Sequence, residues 1–154
     1  MSSKNFKVTK VTYWISTLWL ALGMLATGAV QLFRLKEGQG GADMITHLGY
    51  PVYFLTILGF AKISGALVVL IPKFPLLKEW AYAGFCFIMC GAIVSHVAIG
   101  DPVTELLPSL LLLVLALISW YLRPVSRKVV ELNNNRNATN RPLSAGKEKY
   151  SYSM

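Results

Sequence analysis

Residues 51–71 read PVYFLTILGFAKISGALVVLI. As a helix rising 1.5 Å per residue, this run covers about 30 Å, the thickness of a bilayer's hydrocarbon core. Its one charged residue, Lys62, stands almost at the centre. A lysine at that depth costs a few kcal/mol on insertion scales, so it faces protein or water rather than lipid. The stretch therefore defines a membrane span and names the first residue to suspect of function.

Three other blocks of similar length accompany it, giving spans at 11–33, 51–71, 80–99 and 106–122. The composition agrees, at 55% hydrophobic and only 14% charged. Each span must be helical, because hydrocarbon offers no partner for an open backbone N–H or C=O. The alternating pattern of an outer-membrane strand is absent. Short connections then predict an all-α, four-helix up-and-down bundle. Lys4, Lys7 and Lys10 ahead of the first span resemble a signal peptide's basic region, but the apolar stretch that follows exceeds the 7–15 residues of a signal core, so this helix is expected to be retained.

Lys and Arg concentrate in the N-terminal segment, in the 72–79 loop (Lys73, Lys78) and after residue 122, whereas the 34–50 connection holds only Arg34 and Lys36. The positive-inside rule then puts both termini in the cytoplasm and predicts a multi-pass protein of the cell's inner (plasma) membrane. Trp14, Trp80, Tyr82, Trp120 and Tyr121 would form the inner aromatic belt, with Tyr50 and Tyr53 at the outer interface. The organisation expected is a cytoplasmic segment at 1–10, the four-span domain at 11–123 and a basic, disordered cytoplasmic tail at 124–154. The net charge of +8 follows from this topology rather than from nucleic-acid binding, since the basic residues flank spans. Arg123, Arg127 and Lys128 are placed to meet anionic lipid headgroups. The sequon at Asn137 falls on the cytoplasmic side and is read as accidental.

Small residues suggest how the helices pack. Gly28, Gly59, Gly65, Gly84 and Gly91 are the expected close-approach positions, because tight packing drives helix association in lipid. Polar residues within or beside the spans are the candidate site: Lys62, His96, Asp101, Glu105, Gln31 and Thr27. Two readings of Lys62 stand open, neutralisation by Asp101 or Glu105 and a ligand or proton role. Asp101 before Pro102 also has the form of a helix N-cap. His96 has three open roles: titration, a hydrogen bond to a quinone carbonyl, or one to neighbouring backbone. Cys86 and Cys90, one turn apart, lack the Cys-x-x-Cys redox spacing and read as small packing residues; no metal motif appears.

Three segments, GFAKISGA at 59–66, KEWAYAGF at 78–85 and GAIVSH at 91–96 leading to Gly100-Asp101, resemble the DoxX-like family of small four-helix membrane proteins over about residues 13–123. Members of that family include a membrane subunit associated with thiosulfate:quinone oxidoreduction, proteins linked to thiol-based oxidative-stress complexes, and animal proteins of receptor assembly. The resemblance implies an accessory component of a redox or oxidative-stress system, with quinone as the candidate cofactor and Lys62, His96 and Asp101 at the family's recurrent polar positions. The lipid bilayer, a redox or other membrane protein and a second copy of the chain are the expected partners. An assembly factor or scaffold is the alternative, and a small proton-coupled transporter a third.

Overall fold

The computed structural model describes residues 3–38 and 40–124. The expected tail beyond Pro124, with Arg127, Lys128 and the sequon, lies outside the described residues. Five helices follow in order: α1 Ser3–Leu32, α2 Ala42–His47, α3 Tyr53–Leu70, α4 Pro75–Ile99 and α5 Val103–Tyr121. All but α2 are long and apolar enough to cross a membrane. They close a ring in which α1 meets α3, α3 meets α4, α4 meets α5 and α5 returns to α1. This is the expected up-and-down bundle, and its even number of passes brings residues 3 and 124 to the same end.

The bundle core is Leu20, Met24, Ala66, Val69, Tyr82, Phe85, Met89 and Ala116. Around it Trp19, Phe60, Val94 and Leu111 point outward. Exposed apolar side chains on every spanning helix are a surface built for lipid, since a water-soluble monomer rarely carries so large a patch. The protein is therefore a multi-pass membrane protein.

Two elements differ from the sequence expectation. The third spanning helix begins at Pro75 rather than residue 80, because a proline at the first helical position presets φ and needs no N–H partner. The six-residue α2 lies within the 34–50 stretch, where the sequence reading has a connection and no helix. Asp43 in its first turn and His47 in its last complement the helix dipole, and Ile45 anchors it to the bundle.

The closest helix approach is between α1 and α3. A Cβ built on Gly59 would stand 2.8 Å from both the Gly28 carbonyl oxygen and the Leu32 nitrogen, and one on Gly28 would stand 2.9 Å from Ile63 Cγ1. A Cβ on Gly65 would meet the Phe85 ring at 2.7 Å. Gly84 and Gly91 behave otherwise, with nothing within 4 Å of the equivalent point. Helical spacing tells which residues share a face, not whether another helix stands opposite.

The end of the bundle that carries residues 3 and 124 is tied by buried polar groups. Lys78 Nζ donates to the carbonyl oxygens of Val68 at 2.9 Å, Val69 at 2.6 Å and Ile71. Those are among the last carbonyls of α3, which lack intrahelical donors. Arg123 donates to Glu79, and Trp120 Nε1 donates to the same carboxylate at 2.8 Å. Lys78, Arg123 and Tyr82 are all under 5% exposed. Arg123 thus does not meet headgroups, and Tyr82 does not join the interfacial belt; each is drawn inward by a partner.

Deeper in, Thr17 Oγ1 donates to the Tyr13 carbonyl at 2.6 Å and lies 2.6 Å from Ser119 Oγ, which is 2.7 Å from the Tyr82 hydroxyl. Each hydroxyl has one proton. With that of Thr17 committed, Ser119 donates to Thr17, and Tyr82 donates to Ser119. Ser119→Ala removes the nearest acceptor of the Tyr82 proton and the donor to Thr17, leaving Thr17 as the remaining partner of Tyr82. It is expected to cost about 1 kcal/mol, read as a lower thermal midpoint of a still-folded protein in detergent.

Candidate functional site

Toward the opposite end the helices separate around a cavity of about 310 Å³. Thr27 and Gln31 reach it from α1, Met44 and Ile45 from α2, Phe54, Leu58 and Lys62 from α3, Ser95 and His96 from α4, and Ser109 and Leu112 from α5. Mostly apolar walls with a few converging polar groups, at this volume, are the usual form of a small-molecule pocket.

Lys62 is 5% exposed. Its Nζ donates one long hydrogen bond, 3.4 Å, to Thr27 Oγ1, which itself donates to the Gly23 carbonyl at 2.8 Å. Ion pairs join His47 and His96 to Asp101 and Arg123 to Glu79, and none among the described residues joins Lys62 to a carboxylate. The pairing of Lys62 with Asp101 or Glu105 is therefore not formed. Gln31, 2% exposed, has no partner for Oε1 among the described residues. Gly40 covers it: with φ at +76° and a would-be Cβ only 2.8 Å from Gln31 Nε2, the position requires glycine.

His96 is buried at the end of α4, where Gly100 turns the chain through a left-handed conformation (φ 79°) and the Asp101 N–H bonds back to the His96 carbonyl at 3.0 Å. That turn sets Asp101 against the imidazole five residues earlier. His96 Nδ1 donates to Oδ2 at 2.6 Å, and His47 Nε2 donates to Oδ1 at 2.9 Å. An ionised carboxylate only accepts, so the hydrogen sits on each named nitrogen. Asp101 does not cap α5, whose N-cap is Pro102 without a side-chain bond. Glu105 lies with Asp43, His47, Asp101 and His96 in an outer cleft, and His96 alone of these also lines the cavity.

The bond from His47, then that from His96, holds the Asp101 carboxyl below its usual range. A lowered folded-state pKa contributes stability that is present above the unfolded value, about 4, and is lost as pH falls through the lower folded value. Thermal midpoints of wild type and Asp101→Asn should accordingly differ most at neutral pH and converge below about pH 4.

His47 escaped sequence reading because its connection carries no apolar periodicity and it meets Asp101 only through the fold. Cys86 is half-buried and Cys90 exposed, both as free thiols. Among the described residues no group of three or more His, Cys, Asp or Glu side chains is placed to hold a metal ion.

Four lipid-facing spans around a mostly apolar cavity with a few converging polar groups define a small integral membrane protein of the helical-bundle class. The sequence profile of the DoxX-like family matches residues 15–119, and the chain belongs to that family. No curated protein and no solved structure matches it.

Proposed function

We propose that this DoxX-like protein binds a quinone-class molecule in its intramembrane cavity and serves as an accessory component of a redox or oxidative-stress system, in the inner (plasma) membrane with both termini cytoplasmic. The observation that carries the reading is Lys62: a mid-span ammonium donor with one long bond, aimed among apolar walls. A quinone presents acceptor oxygens at opposite ends of an apolar ring. One oxygen accepts from Lys62, and the other accepts from the Tyr50 hydroxyl once that proton turns away from Ser95, whose own proton is committed to the Gly91 carbonyl at 2.8 Å. Tyr50 and Ser95 hydroxyls already lie 2.8 Å apart, which holds both near the cavity wall. Asp101 acts as a positioning residue, fixing the His96 ring. Oxidation and reduction of the ligand fall to a partner protein.

The test is extraction mass spectrometry of protein purified in native-lipid nanodiscs. Wild type should carry near-stoichiometric quinone, reduced at least tenfold in folded Lys62→Met and His96→Ala; bulk lipid alone in all three would overturn the reading. A scaffold role has one observation in its favour, the groove between α3 and α4 lined by Ala61, Ser64, Gly65 and Gly84, where Gly84 has open space. Crosslinking in native membranes to one dominant partner through this groove would favour it, and random neighbours would remove it.

A further inference from the structure

We infer that the ligand of this cavity bears a negative charge on a head-group oxygen, so that the site takes the ionised form of a lipophilic ring acid, a hydroxyquinone, in preference to a neutral quinone. The inference rests on the quinone reading for the ring and on the cavity itself for the charge. Among the described residues no Asp or Glu lines the cavity, and the lining groups able to carry a positive charge are Lys62 and His96. The described carboxylates are engaged or placed elsewhere. Glu79 holds Trp120 and Arg123 at the opposite end of the bundle. Asp101 is shared by two histidines, and Asp43 and Glu105 face the outer cleft. Glu37 lies exposed in the connection before α2.

Thr27 gives Lys62 a dipole and not a charge, and its own proton is committed to Gly23. An ammonium with three donors and one long bond, nine-tenths buried, pays a desolvation cost that a second charge offsets far better than a neutral carbonyl does. A bond from an ammonium to a neutral carbonyl is already charge-assisted; an anionic oxygen adds the attraction of opposite charges, which is large where water is excluded. The ring hydroxyl of such an acid has already released its proton to water at neutral pH, so binding makes a hydrogen bond to Lys62 and changes no other bond. The anion and the ammonium together enter the bilayer neutral.

The experiment titrates the full chain in nanodiscs, against empty discs, with four probes: a 3-alkyl-2-hydroxy-1,4-naphthoquinone, its 2-methyl ether, a long-chain fatty acid and its methyl ester. The hydroxynaphthoquinone should bind at least tenfold tighter than its ether. Lys62→Met should erase that ratio. Wild type should hold the probe with the visible absorbance of its anion down to a pH at which the free probe is protonated, a readout that needs no variant. Equal affinity for acid and ether, or the spectrum of the neutral form in the bound state, overturns the inference while leaving the quinone reading in place. Strong preference for the fatty acid over its ester, with neither ring compound bound, supports the charge and removes the quinone. Binding of none of the four overturns both.

Discussion

Gly59→Val should leave almost no assembled protein. A side chain at this position meets backbone, not another side chain: the Gly28 carbonyl and the Leu32 amide each lie 2.8 Å from the first added carbon, and Leu32 Cα lies at 3.2 Å. A helix backbone cannot yield by rotating a bond, so α1 and α3 must move apart. Overpacking a well-packed core typically costs about 1–3 kcal/mol and sometimes more. Here the cost is at the high end, because within lipid close packing is itself the force that holds helices together. Gly28→Val clashes mainly with the end of Ile63 and should be milder. Gly84→Ala and Gly91→Ala, where nothing stands within 4 Å, should be neutral or slightly stabilising, as alanine is the better helix former. Size-exclusion chromatography of a fluorescent fusion reads the series directly; equal losses at Gly59 and Gly84 would contradict this packing.

Lys78→Met should be the most damaging change at a charged position. Methionine keeps the volume of the side chain but removes every donor from carbonyls at the end of α3. A buried acceptor left without a partner costs about 1–3 kcal/mol, and more than one is stranded, so the expected loss is about 3 kcal/mol or more. Lys78→Arg should recover only part of it, since a planar fork does not reproduce three donors converging from one atom. Thermal unfolding in detergent measures both, and a Lys78→Met midpoint within a degree of wild type would show that these carbonyls find other partners.

Lys78 also shows what its sequence context conceals. Its place in a short loop between apolar runs reads as a topological signal, and nothing in its neighbours reports that the end of α3 lies within reach. Lys62 was legible because one charge in an unbroken apolar run violates the solvent it sits in. The spans were legible for the same reason, since their length and polarity are set by the bilayer rather than by tertiary contacts. Asp101 illustrates the opposite case. Its spacing before Pro102 fits a helix cap equally well, and only the turn at Gly100 and the docking of α2 deliver it to two histidines. Gly59 and Gly84 look alike in sequence, and the difference between them is the helix that stands opposite one and not the other.

We propose that a quinone-class head group meets Lys62 in the cavity beneath α2. Photolabelling with a short-tailed azidoquinone in nanodiscs, followed by peptide mapping, tests it most directly. Label is expected on the segments that carry Phe54, Leu58, Ser95 and His96, displaced by excess unmodified quinone and lost in folded Lys62→Met. Label confined to the lipid-facing side chains of Trp19, Phe60 and Leu111, undiminished by competitor or by the substitution, would contradict it.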